Sequence, residues 1–437
     1  MRFLRALSRL AMILCLAGCG AGSESPAEAR GDKAWVGAWM AAQGVSDLQG
    51  FTDQSLRMIL QSHQGGSTLR LRFANHYGQS PVTLESVHIG RRGEGAAVVT
   101  GTQVAVRFSG ASSLSLAPGE EVRSDPLRFD LAPFEDLAVS FHLSGATGAA
   151  SSHSEALQTS YTTARGTGDR AADESATAYT ETRSHWYYLT GIDVQAGPAT
   201  AAVIALGDSI TDGSGNFFQI TKPGDGHHER NGRWPDVLAR RMAAVPAYAQ
   251  YSVLNAGIGG NRLLTDAPFG IHDPLFGAGD SALRRLQRDV LDVPGACTVI
   301  VLIGINDIGI PLLGRPPLAP FASADEMIAG YREIIRRAHE RGLRVLGGTL
   351  TPTIFLLHGE PLRTGVRAAV NEWIRNSGEY DGVIDFDAAV RDPDQPERLR
   401  PEFSSGDGLH PSLAGYEAMG QAIDLSVMGC GPGRYRQ

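Results

Sequence analysis

The sequence predicts an all-β domain followed by an α/β domain built as a three-layer α/β/α sandwich around a parallel sheet. Two patterns carry that reading. Over 34–196, apolar and polar residues alternate between turn-forming stretches; over 199–428, continuous apolar runs alternate with amphipathic ones. A length of 437 residues suits two such domains, because a single hydrophobic core rarely grows that large.

In the first part, Leu69, Leu71 and Phe73 alternate with Arg70 and Arg72. Leu137, Val139, Phe141 and Leu143 alternate with Ala138, Ser140, His142 and Ser144, and Val104, Val106 and Phe108 repeat the pattern. A period of two with one apolar face predicts half-buried antiparallel strands, and Gly, Pro and Ser turns between them predict a β-sandwich or jelly-roll-like domain. The pattern changes near Gly197-Pro198. Apolar runs at Ala201 to Leu206, Thr298 to Ile303 and Arg344 to Leu350, with weaker ones at Tyr251 to Leu254 and Val383 to Phe386, predict strands buried on both faces. Helices are predicted between and after them at Trp234 to Ala244, Ser281 to Leu291, Ala324 to Arg341, Thr364 to Ser377 and Ser412 to Val427. Long loops, Gly213 to Arg233, Leu263 to Asp280 and Ile308 to Ser323, come after strand ends, where open α/β sheets bind ligands.

The N-terminus reads as a secretion signal over 1–19. Arg2, Arg5 and Arg9 precede a short apolar run, Leu10 to Ala17, too short to span a bilayer. It ends in Leu16-Ala17-Gly18-Cys19, which resembles the bacterial lipobox, with Cys19 the lipidated residue. The small, polar stretch 20–33 reads as a tether. These features predict an exported lipoprotein, facing the periplasm or cell surface and held to the membrane by its lipid alone. Gly20 after the cysteine resembles the signal for outer-membrane sorting. With Cys15 and Cys19 assigned to the signal and the lipid, Cys297 and Cys430 remain. An oxidising compartment makes them a candidate disulfide; two buried free thiols are the other reading. A formal net charge of −8 argues against nucleic acid as a partner.

Four segments at strand ends carry chemistry. Gly207-Asp208-Ser209-Ile210-Thr211-Asp212-Gly213 comes after the first run, where a hydroxyl and its own N–H are exposed at the sheet edge. Asn255-Ala256-Gly257-Ile258-Gly259-Gly260-Asn261 lets backbone N–H groups approach a ligand closely. Gly304-Ile305-Asn306-Asp307 offers an amide to a developing oxyanion. Asp407-Gly408-Leu409-His410-Pro411 sets a carboxylate beside an imidazole three residues on. Taken singly, each segment is equally an ordinary cap or turn.

Together and in this order, the four segments resemble the SGNH hydrolases, or GDSL family of esterases and lipases, over Ala199 to Met428. The resemblance implies a flavodoxin-like sheet and serine-dependent ester hydrolysis with no metal or cofactor. It implies Ser209 as nucleophile, His410 as general base and then acid, and Asp407 as its orienting partner. The oxyanion donors would be the N–H of Ser209, the N–H of Gly260 and the side-chain amide of Asn306. Gly259 beside Gly260 leaves open which N–H faces the oxyanion. Ile210 stands where the family name has Leu, a packing position. The preceding β-domain with Trp35-Val36-Gly37-Ala38-Trp39 resembles two-domain bacterial esterases of xylan-degrading clusters, which points to an acylated carbohydrate as substrate.

Other residues read as structural. His227-His228-Glu229 is expected to be a solvated loop and not a metal site. His63, His76, His88, His142, His153 and His185 are expected to be structural. Trp35, Trp39 and Trp186 are expected to pack in the core or between the domains, a sugar-stacking platform being the other reading. A mixed rim of Phe217, Phe218, Phe269 and Phe276 with Arg230, Arg233 and Arg262 does not separate a carbohydrate esterase from a lipase or phospholipase. A non-catalytic, carbohydrate-binding surface lipoprotein is the reading from another class.

Overall fold

The computed structural model describes residues 34–216, 226–266, 278–309, 321–354 and 364–430. The segments 1–19 and 20–33, with Cys19, lie outside the described residues, as do Phe217, Phe218, Phe269 and Phe276. The described residues all belong to one compact unit.

The first half is all β. One antiparallel sheet runs Ala34–Met40, Leu189–Ala196, Gly66–Ala74 and Glu121–Arg123. A second runs Glu181–Arg183, Ser160–Thr162, Gln54–Gln61, Asp136–Leu143, Val82–Arg91 and Val104–Ala105. Leu69, Leu71 and Phe73 of the first sheet share a buried cluster with Leu137, Val139 and Phe141 of the second. Burial of these alternating positions holds the two sheets face to face. The polar face of Asp136–Leu143 is covered as well. Ser140 accepts a hydrogen bond from Arg57 Nε at 2.8 Å, and the Arg57 guanidinium lies 4.1 Å from the Tyr179 ring centre. The expected strand through Val104, Val106 and Phe108 stops at Ala105, because Phe108 pairs with Ala111 across a tight turn at Ser109 and Gly110, both at positive φ.

The second half is α/β. Its five strands, Ala201–Gly207, Tyr251–Gly257, Ala296–Leu302, Arg344–Gly348 and Gly382–Ile384, are all parallel and lie in the order second, first, third, fourth, fifth. Helices Trp234–Ala243, Phe386–Val390 and Leu413–Ala422 pack as one group, and Ala282–Leu286, Ala324–Glu340 and Thr364–Asn376 as another. The strand order reverses direction between the first and third strands, which opens a crevice at their C-terminal ends.

In this half, three further elements differ from the expectation. The run through Phe386 ends at Ile384, since the Asp385 side chain accepts from Ala388 N and starts a helix. The last helix ends at Ala422, and Asp424 caps a separate turn over Leu425–Val427. The helix from Ala282 changes to a π-turn over Gln287–Leu291, where Asp289 accepts from both Arg285 and Arg288.

The two halves meet through Trp35-Val36-Gly37-Ala38-Trp39. This stretch packs against Tyr251–Gly257, the edge strand of the parallel sheet. Gly37 N donates to Pro294 O at 2.9 Å, and a Cβ on Gly37 would lie 2.6 Å from the Leu254 side chain, so glycine is what admits the strand. Val36 joins the α/β core, whereas Trp39 faces the β core. Trp39 meets Trp186 edge-on at 5.0 Å, Trp186 Nε1 donates to Ile59 O, and the Trp35 ring is covered by Arg70. These are packing positions. Cys297, on the third parallel strand, is disulfide-bonded to Cys430.

Candidate active site

The turn after the first parallel strand shapes the nucleophile segment. A Cβ at Gly207 would lie 2.0 Å from Thr211 Oγ1 and 2.6 Å from Leu302 O, so only glycine fits this strand-to-helix turn. Asp208 then caps the four-residue helix Ser209–Asp212 by accepting from Ile210 N at 3.0 Å. Ser209 is the first helical residue, its N–H therefore lacking an intrahelical partner. Its side chain lies at the reversal point of the sheet.

His410 reaches the same point from the other end of the chain. Asp407 Oδ1 accepts from the backbone N–H groups of Leu409 and His410, each at 2.8 Å, which closes the tight loop. Its Oδ2 meets His410 Nδ1 at 2.6 Å, and His410 Nε2 lies 2.8 Å from Ser209 Oγ. A carboxylate only accepts, so Nδ1 carries the ring proton and Nε2 is left to accept the Ser209 hydroxyl. All three side chains are buried. Burial disfavours the imidazolium, but the Asp407 hydrogen bond and charge outweigh it and raise the His410 pKa above its ordinary value.

The glycine segment is tied to the nucleophile strand. Ile258 N donates to Gly207 O at 3.2 Å, and Asn255 Nδ2 donates to Thr211 O at 2.7 Å. Gly260 has φ +70, a left-handed conformation suited to glycine, and Asn306 Nδ2 donates to Asn261 O at 2.8 Å. Gly260 and Asn306 therefore converge, with one amide N–H of Asn306 engaged by the loop and a second in its inventory. Arg285 supports the arrangement from below, donating to Gly207 O and Ala256 O at 2.8 Å each, and to Asn261 Oδ1 at 3.0 Å. Two further carboxyls are buried here. Burial pushes Asp208 up to about 7 and Asp307 up to about 6, although Asp307 accepts from Leu263 N and Leu264 N.

The β half also reaches the site, which the sequence did not reveal. His153 Nε2 lies 3.1 Å from Asp212 Oδ1 while its Nδ1 lies 2.8 Å from Ala42 O. With an acceptor near each ring nitrogen the protonated ring is favoured, and the His153 pKa is raised: burial opposes the charge, and Asp212 outweighs it. Two residues on, Glu155 Oε2 accepts from Ser214 Oγ. His63 likewise finds its acidic partner in the other half, Asp236, at 3.2 Å. The partners of His63 and His153 are remote in sequence, so no local pattern could identify them.

Two expectations need correction. His227 is not solvated: it is buried, edge-on to Tyr416 at 5.7 Å, because the loop folds back under Gly213. Arg233 and Arg262 are not rim residues either. Arg233 is buried and donates to Asp212 O and Ala156 O, linking the halves, and Arg262 is buried near Asp307. Among the described residues, no group of three or more His, Cys, Asp or Glu side chains could hold a metal ion, and no helix is long and apolar enough to cross a membrane.

Comparison with known proteins bears on the α/β half. No curated protein matches the chain. Among solved structures, an acetylxylan esterase variant from Geobacillus stearothermophilus is 21% identical, covering 53% of this chain and 94% of its own, with a TM-score of 0.36. A GDSL-like lipase from Bacteroides thetaiotaomicron is 15% identical, covering 52% of this chain and 87% of its own, with a TM-score of 0.34. The GDSL-like lipase/acylhydrolase family model matches residues 205–418, a span that holds Ser209, Gly260, Asn306, Asp407 and His410. The α/β half of this chain is a GDSL-like lipase/acylhydrolase domain.

Proposed function

We propose that the protein is a serine-dependent carboxylic ester hydrolase that removes short acyl groups, acetyl foremost, from a carbohydrate or other small ester. The observation that carries this reading is the unbroken relay from Asp407 Oδ2 to His410 Nδ1, at 2.6 Å, and from His410 Nε2 to Ser209 Oγ, at 2.8 Å.

In the proposed reaction, Ser209 Oγ attacks the ester carbonyl as its proton passes to His410 Nε2. The N–H groups of Ser209 and Gly260 and the amide of Asn306 receive the negative charge of the tetrahedral intermediate. Collapse breaks the bond to the alcohol, which departs with the proton from His410 and leaves an acyl-Ser209 ester. Water then attacks that ester with the same base, and the carboxylic acid leaves as Ser209 Oγ recovers its proton. Asp407 stays ionised throughout, holding the tautomer and stabilising the imidazolium. The β-half motif around Trp35 and Trp39, similar to that of xylan-cluster esterases, supports a carbohydrate substrate.

The test is turnover of p-nitrophenyl acetate by the purified protein and by Ser209→Ala. Loss of turnover in the variant with unchanged circular dichroism is expected, together with labelling of the unsubstituted protein by a serine-directed phosphonate. Turnover that survives Ser209→Ala would refute the assignment. Glycan binding without hydrolysis or labelling would indicate a binding lipoprotein, and a rate that climbs with acyl length would indicate a lipase.

A further inference from the structure

Glu155 is a carboxyl that the reaction above does not use, yet it stands inside the site. It lies on the segment after the β-half strand Ala150–His153, and its neighbour His153 is anchored on Asp212 at the end of the nucleophile helix. Its Oε2 accepts from Ser214 Oγ, and Ser214 N in turn donates to Ser209 O at 2.9 Å. Its Oε1 faces the glycine segment: a Cβ at Gly259 would lie 2.5 Å from it. The carboxyl thus sits between the nucleophile turn and Gly260, close enough for its charge to act on His410.

This placement is costly. A carboxylate beside an oxyanion hole repels the developing negative charge, and an enclosed carboxylate needs donors or a cation to offset lost hydration. Glu155 has no ion-pair partner among the described residues, and Ser214 is the sole hydrogen-bond donor to its side chain there. Burial, and then the Asp212 charge, raise its pKa, as expected for a carboxyl short of compensating donors. It is enclosed by the two halves but not sealed, being only half-buried. A substrate hydroxyl would supply the missing donor. An alkyl chain in the same position would strip the carboxylate of water and return nothing.

Resting on the esterase reading, we propose that Glu155 is the specificity-determining residue that accepts, through Oε1, a hydrogen bond from a free hydroxyl on the alcohol half of the ester. The β half thereby selects partly acylated polyols over fully acylated or lipid-like esters. Gly259 is glycine so that this carboxyl can reach the oxyanion segment.

The experiment compares two acetate esters of one polyol: glycerol monoacetate, with two free hydroxyls, and glycerol triacetate, with none. The quantity read is the ratio of kcat/KM for the monoacetate to that for the triacetate. A hydrogen bond to a charged group implies that Glu155→Ala lowers this ratio about tenfold or more, mainly through KM for the monoacetate. Glu155→Gln keeps the volume and the Ser214 contact, so it tests the same point if the alanine variant folds poorly; it lowers the ratio less, because a neutral amide is the weaker acceptor. An unchanged ratio in the folded variants, whether or not both rates fall, overturns the proposal by reducing Glu155 to a structural or electrostatic neighbour. Failure of the esterase reading is separate: the unsubstituted protein would hydrolyse neither acetate nor p-nitrophenyl acetate, and both ideas would fall.

Discussion

Replacing Asp407 by Asn tests whether the site works through a fixed tautomer. In the native loop, Oδ1 accepts two backbone N–H groups and Oδ2 accepts the His410 Nδ1 proton. An asparagine side chain has one acceptor oxygen for these two duties. With that oxygen kept on the backbone, its NH₂ faces Nδ1, and the imidazole must carry its proton on Nε2, where it can no longer accept from Ser209. The flipped amide would instead set its NH₂ against two N–H donors. In serine hydrolases using the same relay, such a change lowers kcat by about 10⁴, or ~5.4 kcal/mol of transition-state stabilisation. The expected result with p-nitrophenyl acetate is a loss of that order, smaller than for Ser209→Ala, with little change in KM. The pH profile supplies a second readout. Because the His410 pKa is raised, the base is lost as pH falls through a value above that of free imidazole, so the acid limb of kcat/KM lies above about 6.5. Removing the Asp407 charge moves this limb to lower pH. A loss of less than tenfold with an unmoved limb would refute the orienting role.

Two other outcomes are expected. Asn306→Ala should lower kcat by about 10²–10³ with little effect on KM, as for an oxyanion donor; a change confined to KM would assign Asn306 to loop support through Asn261 alone. The Cys297–Cys430 bridge closes a loop with a sequence separation of 133, so on a chain-entropy basis its loss costs up to about 5 kcal/mol. Cys430→Ala should lower the denaturation midpoint in urea yet retain esterase activity under native conditions, since Cys297 lies at the end of the sheet opposite Ser209. An unchanged midpoint would show that the tail is held by other contacts, such as Thr298 Oγ1 to Gly429 O at 2.6 Å.

The parts of the site legible in the sequence are those made locally. Strands such as Ala201–Gly207 declare themselves by continuous apolar runs, and Gly207, Asp208 and Ser209 make their turn among themselves. The Asp407–His410 pair is likewise a short-range device. Element ends escape a sequence reading where one polar side chain, Asp385 or Asp424, captures a backbone N–H and restarts the chain. Arg285 escapes it because a charged residue on an amphipathic helix usually faces solvent, and here it is buried to hold two strand ends. Glu155 and His153 are not legible at all. Their meaning depends on contacts with Ser214 and Asp212 that only the packing of the two halves creates.

The seating of Trp35 to Trp39 against Tyr251–Gly257 has a consequence for the chain as a material. A border strand of a parallel sheet, left bare, offers carbonyls and amides to any passing strand and invites chains to stack on one another. Here the stretch through Gly37 lies across that border, and His63 Nδ1 occupies the Val253 carbonyl at 2.6 Å. The leading half is thus a permanent shield for the enzyme-like half. Cutting at Gly197-Pro198 would separate two pieces that share a wall, leaving the second with an adhesive seam in place of a finished surface.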